Sequence, residues 1–174
     1  SFLEHIAQKS TRELKSTYRT AKDHSSALPV EGEPETTRLE FAKRIMEETD
    51  LPAYLKETLP YVPFQESTYR TDLRSRTGAK GAWQFMPATA RLFGLSVPPR
   101  TDERLDFALA TRGAARYYTS IYNNLSQDEN YRMIEDKYSL DPAALIGPAT
   151  INSYQCGERH FKKMFKILAH PESF

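Results

Sequence analysis

Glu66 and Ser67 stand at the end of an apolar run, and Gly81-Ala82-Trp83-Gln84-Phe85-Met86-Pro87 follows a short way downstream. Breaking a glycosidic bond passes through an oxocarbenium-like transition state, so the departing oxygen needs a proton from an acid that still holds one near neutral pH. A carboxyl group at the edge of an apolar element suits that task. An apolar pocket disfavours the ionised form, which is how lysozyme keeps its acid protonated. Phe64, Tyr61 and Trp83 are the side chains expected to supply such a pocket. Hydrolysis ordinarily adds a second carboxylate, as a nucleophile about 5 Å away or as a base for water at about 6.5–9.5 Å. Asp72 is the only close candidate along the chain. Gln84 donates and accepts at once, which suits sugar hydroxyls and acetamido groups. Each residue has a plainer alternative. Glu66 would be a solvated or helix-end carboxylate, Ser67 a hydroxyl bonded to its own backbone, Gln84 a surface amide and Asp72 a loop charge.

The elements that must position these residues read as helices. Residues 2–20 carry Phe2, Leu3, Ile6, Leu14 and Tyr18 among charges, a weakly amphipathic appendage. Residues 23–37 turn polar around Pro29, Gly32 and Pro34 and read as a linker, so the domain boundary falls there, between 1–36 and 37–174. Leu39, Ala42, Ile45 and Met46 share one helical face. Asp50-Leu51-Pro52 reads as an N-cap followed by an early-turn proline. The next helix runs toward Glu66, and Pro60 and Pro63 predict either a kink or a fresh start there. Pro87 and Gly94 bracket a short helix over 88–93. The strongest helical pattern covers 102–125. Residues 126–141 are polar and suggest no chemistry, Gly147-Pro148 predicts a break with a new helix starting near Pro148, and a last helix is expected over 158–168. No alternating strand run is visible, and the fold class expected is all-α.

Composition narrows the function. A chain of 174 residues supports one domain with a proper core. Its net charge of +1 supplies no basic stripe for phosphates, so nucleic acid is not an expected partner. The single cysteine, Cys156, forms no internal disulfide, and His5, His24, His160 and His170 lack the spacing of a zinc helix, so no metal is expected. No stretch approaches the roughly 20 apolar residues of a membrane span. The chain opens at Ser1 with no basic-then-apolar leader, as expected of a mature or trimmed fragment.

Four ordered segments carry a resemblance. The run Leu59-Pro60-Tyr61-Val62-Pro63-Phe64-Gln65-Glu66-Ser67, with Ser75, Gly78-Ala79, Gly81 and Gln84 after it, resembles the Glu-Ser and Gly-x-x-Gln signature of the lytic transglycosylases. Asp102-Glu103-Arg104, continued through Ala110-Thr111-Arg112 to Ala115-Arg116-Tyr117-Tyr118, is similar to the next segment of the membrane-bound transglycosylase D-like branch. Tyr154-Gln155-Cys156-Gly157 stands where the family has Tyr-Asn-Ala-Gly or a close variant. Here Gln155 replaces the usual asparagine and Cys156 a small residue. The likeness runs over residues 37–160.

The resemblance implies a lysozyme-like helical domain, of the goose-type lysozyme or SLT kind, with a substrate cleft. It implies a cofactor-free enzyme on peptidoglycan glycan strands in the periplasm or cell envelope, acting as a monomer. Glu66 would then be sole acid and base. It would protonate the oxygen between N-acetylmuramic acid and N-acetylglucosamine, then take the proton of the muramoyl C6 hydroxyl as that hydroxyl attacks C1, leaving a 1,6-anhydro sugar. A tethered nucleophile of this kind replaces a bimolecular step. By the same resemblance Ser67, Gln84, Tyr154 and Gln155 bind substrate, with Tyr154 steadying the acid; Met86, otherwise a core residue, is expected to pack on a sugar face, and Tyr117 to line the cleft, with at least one of Tyr117 and Tyr118 in the core. Two other readings stay open: a hydrolase of the same fold using Asp72, and a glycan-binding module that cuts nothing.

Overall fold

A computed structural model describes residues 28–98, 100–139 and 141–173, together with 16, 19, 20, 23 and 24. The amphipathic pattern expected of Phe2, Leu3, Ile6, Leu14 and Tyr18 lies outside the described residues. The chain runs through strands β1 (Pro29–Val30) and β2 (Glu33–Thr37), then helices α1 (Arg38–Glu47), α2 (Ala53–Thr58), α3 (Val62–Ser67), α4 (Pro87–Leu92), α5 (Phe107–Ser126), α6 (Glu129–Tyr138), α7 (Pro142–Cys156) and α8 (Glu158–Ala169). Short 3-10 turns cover Leu59–Tyr61, Glu103–Leu105 and Pro171–Ser173. The described residues are thus mostly helical, as the sequence pattern leads one to expect, with one small sheet.

Two compact units divide the chain, one from Ser1–Ile45 and Pro60–Gly113, the other from Met46–Leu59 and Ala114–Phe174. In the first, β1 and β2 pair antiparallel with Val30 opposite Glu33, and Val30 is buried. The stretch read as a linker therefore holds a hairpin. It escapes the alternation test because only Val30 turns an apolar side chain inward. Thr37 and Glu40 then start α1 as a reciprocal cap, the Thr37 hydroxyl donating to Glu40 Oε2 at 2.8 Å while the Glu40 amide donates to Thr37 Oγ1 at 3.3 Å. Phe41 on α1 meets Phe107 edge-on at 6.2 Å, and Tyr69 lies 6.4 Å from the same Phe107 ring, which gathers the aromatic part of this core. Gly113 packs so close to Leu95 that a Cβ there would sit 3.1 Å from Leu95 carbon atoms.

In the second unit α6 and α7 each pack on α8, and α2 packs on α7. Gly147 permits the α2–α7 approach, since a Cβ at that position would lie 3.0 Å from the Tyr54 ring. Tyr131 of α6 and Phe165 of α8 meet at 5.4 Å, both buried.

Several boundaries differ from expectation. Asp50 does not cap α2, whose N-cap is Pro52 with no side-chain bond. Near Pro60 and Pro63 the chain takes the second course that the prolines allow: α2 ends, a 3-10 turn intervenes, and α3 begins with Pro63 in its first turn, where a missing N–H costs nothing. The 102–125 helix loses its first residues to the Glu103–Leu105 turn, which Asp102 caps. Asp128 caps α6 through bonds from the Asn130 and Tyr131 amides, making a helix where only polar chain was expected. Helix α7 runs unbroken through Pro148, whose ring faces solvent. Thr150 and Asn152 bond back to the Ile146 and Pro148 carbonyls at 2.7 and 2.8 Å.

Candidate active site

Helix α3 is only six residues long and places Glu66 in its last turn, part-exposed, beside buried Ser67. So short a helix has little stability of its own. Its end is fixed from outside. Thr68 and Tyr69, neither of them glycine, both adopt the left-handed conformation, with φ 53° and 60°. For a β-branched residue such as Thr68 this is an outlier costing on the order of 1–3 kcal/mol. The cost is met by anchoring. The Thr68 amide returns to the Phe64 carbonyl at 2.8 Å, and the Tyr69 amide to that of Pro63 at 3.0 Å. The Tyr69 ring is fully buried, its hydroxyl donates to the Pro60 carbonyl at 3.1 Å, and Arg38 donates to the Tyr69 carbonyl. Burial pushes the Tyr69 phenol well above its ordinary range, so it stays a neutral donor.

Ser67 joins this helix to the glycine turn. Its hydroxyl faces two main-chain carbonyls, Ala82 at 2.8 Å and Pro63 at 3.0 Å. The plainer reading of Ser67 therefore describes its bonding here, with one addition, the reach across to Ala82. Residues 81–84 turn between Lys80 and Phe85, which exchange two backbone bonds at 3.2 and 3.1 Å. Gly81 has φ 78° and Gln84 φ 49°. The Gln84 side-chain amide folds back onto the Gly81 carbonyl at 2.8 Å. Trp83, expected near Glu66, is fully buried and donates its indole N–H to Thr111 Oγ1 at 2.9 Å. Met86 is 43% exposed, in the place of a side chain able to meet a ligand rather than the core.

Asp72, the candidate second carboxylate, is exposed and held in the fork of Arg70 by bonds of 3.1 and 3.0 Å. The Arg70 hydrogen bonds hold its carboxyl below the usual aspartate range. That is the bonding of a local loop charge.

A buried ion cluster also belongs to this unit. Asp102 accepts from Arg104 at 2.8 and 2.7 Å and from Lys80 at 2.9 Å. Arg104 is 3% exposed, and its remaining bonds go to the carbonyls of Gly78 and Phe85. The Arg104 fork holds the Asp102 carboxyl far below the ordinary range, with Lys80 assisting. Sequence reading placed Asp102 and Arg104 in a matching segment without assigning them work. The run Arg100-Thr101-Asp102-Glu103-Arg104-Leu105-Asp106 is rich in charge, so neither residue stands out by type.

The other three residues lie in the second unit. Tyr154 of α7 stacks on buried Tyr118 at 5.1 Å with rings 13° apart, and Tyr117 lies 5.3 Å from Tyr154. Tyr118 is the core member of the pair on α5, while Tyr117 is half-buried, its phenol raised by burial. Gln155 is exposed.

A search of the curated proteins finds no match for the chain. The family model of the transglycosylase SLT domain matches residues 44–172, most of the sequence. It takes in both Glu66 with its turn and the Tyr154 segment. The chain therefore belongs to the transglycosylase SLT domain family, lysozyme-like in fold and acting on peptidoglycan in the cell envelope.

Proposed function

We propose that residues 37–174 are the catalytic domain of a lytic transglycosylase of the membrane-bound transglycosylase D-like branch, a carbon-oxygen lyase that works in the periplasm or cell envelope as a cofactor-free monomer. It cleaves the β-1,4 bond between N-acetylmuramic acid and N-acetylglucosamine and leaves 1,6-anhydromuramoyl ends. The observation that carries this reading is the inequality of the two carboxylates. Glu66 lies in the last turn of a helix whose terminus is anchored at several points, whereas Asp72 is an exposed loop residue in the grip of Arg70. One placed carboxyl group suits a mechanism that needs only one.

In the first half-reaction Glu66 gives its proton to the bridging oxygen as the C1–O4 bond breaks. In the second, its carboxylate takes the proton of the C6 hydroxyl while O6 closes on C1. The proton count balances and no water is consumed. Gln84, Met86, Tyr117, Tyr154 and Gln155 bind the glycan, by amide bonds and by aromatic or apolar contact with sugar faces. Ser67 supports Glu66 by holding α3 to the Gly81 turn.

Mass spectrometry of soluble products from purified sacculi tests the reading. Anhydro ends from the unmodified chain and none from Glu66→Gln are expected, with a loss of at least about 10³-fold for removal of the sole acid and base. Reducing ends one water heavier would make the protein a hydrolase instead. Strand binding without any product, in either form, would make it a binding module.

A further inference from the structure

We propose that Arg104 is a positioning residue for the cleavage step, acting through the Gly81 turn to fix the end of the helix that carries Glu66. The inference rests on Glu66 being the acid.

One guanidinium ties both ends of the turn. Arg104 Nη1 donates to the Gly78 carbonyl at 2.8 Å and to the Phe85 carbonyl at 2.9 Å. Its Nε and Nη2 grip Asp102, and Lys80, between the two tied carbonyls, reaches the same carboxylate at 2.9 Å. The main chains also touch. A Cβ on Gly81 would lie 1.7 Å from the Arg104 carbonyl oxygen, so no other residue lets the turn come this close. The turn presents the Ala82 carbonyl to the Ser67 hydroxyl at 2.8 Å, and Ser67 is the neighbour of Glu66 in the last turn of α3. The path from Arg104 to the acid is thus a series of direct bonds: guanidinium to turn, turn to Ser67, Ser67 to helix end.

Stability alone is a poor reason for such a cluster. Ion pairs taken out of water lose in hydration about what they gain in attraction, and an apolar filling of similar volume often does as well. An apolar filling would not hold two carbonyls and a carboxylate at once. A planar fork with five donors does so, and the three donors on a flexible lysine stem do not. Displacement of a reacting group by about 1 Å can cost on the order of 10²-fold in rate.

The test compares the full chain with Arg104→Lys and Glu66→Gln, each assayed on sacculi below its own unfolding midpoint, with amide hydrogen exchange read in parallel. Arg104→Lys should lower kcat about tenfold or more while the apparent KM stays within about threefold. Exchange should quicken at the amides of Gly81, Gln84 and Phe85, with the amides of α6 and α8 unchanged. A folded Arg104→Lys chain with wild-type kcat, or with unaltered exchange in the turn, overturns the proposal. If the unmodified chain cuts and Glu66→Gln does not, that failure belongs to the clamp alone. If Glu66→Gln cuts as well as the unmodified chain, or neither cuts, the acid assignment fails and takes the proposal with it. Should Arg104→Lys not fold, Ser67→Ala keeps the Arg104 clamp and removes the bond that carries it from the turn to the helix end. It should lower kcat about threefold and quicken exchange at the Thr68 and Tyr69 amides, and no change in kcat or in that exchange would overturn the proposal.

Discussion

Asp102 binds two cations from within the protein, and that fixes the pH at which its contribution disappears. Its carboxyl is held below the ordinary aspartate value of 3.8, so its stabilisation is fully present above about pH 4 and fades as pH falls through the lower folded value. At pH 7 Asp102→Asn should cost about 3 kcal/mol, because it leaves Arg104 buried without its counter-charge. The gap in unfolding midpoint between this variant and the unmodified chain should hold from pH 7 to about pH 4 and narrow below it. Thermal unfolding across that range measures the gap, and one that widened in acid would contradict the assignment. Glu66 stands out in the sequence because its type, its apolar run and the ordered segments around it all point the same way. The work of Arg104 was not legible, since the carbonyls of Gly78 and Phe85 carry no side-chain signal and only the folded chain brings them to one guanidinium. Thr68 and Tyr69 were hidden for a similar reason. Neither is a residue type that advertises a left-handed turn.

Helices with clear periodicity and terminal signals were readable, and those held by tertiary contacts were not. The apolar face of α1 and the proline that opens α4 gave both elements nearly to the residue. The turn Glu103–Leu105 and the unbroken course of α7 depended on an Asp102 cap and on solvent beside Pro148, which no local pattern encodes. Proline in mid-helix still removes a backbone bond, so Pro148→Ala should raise the urea midpoint by the equivalent of about 1 kcal/mol, part of the gain being offset by a freer unfolded chain. An unchanged or lower midpoint would mean that the ring makes a contact worth keeping. The Gly81 turn should respond in the opposite direction. Gly81→Ala meets both a left-handed φ and the Arg104 carbonyl, and a loss of about 3 kcal/mol is expected. Denaturant titration at neutral pH would show it, and a variant of normal stability would mean that the two main chains can part.

Over the whole molecule the charges nearly cancel, to +1. Attraction to an anionic wall polymer then owes little to net charge. Release of soluble fragments from sacculi should change by less than about threefold between roughly 50 and 200 mM salt, unlike the steep dependence of a protein that neutralises many phosphates. A log-log slope steeper than about −2 would point to a concentrated cationic contact instead. Among the described residues no helix is long and apolar enough to cross a membrane. The shortness of α3 has a consequence for the order of events during synthesis. Three of the groups that fix the end of α3 lie after Glu66 in the chain: the Tyr69 anchor, the Ala82 carbonyl and the Arg104 fork. A growing chain that has emerged through residue 67 displays Glu66 without the later contacts that hold the end of α3, and a six-residue helix does not hold itself together while waiting. A fragment ending at residue 95 should therefore show no protected amides in 62–67 by hydrogen exchange. On this order the end of α3 is fixed late, once Arg104 has joined the turn.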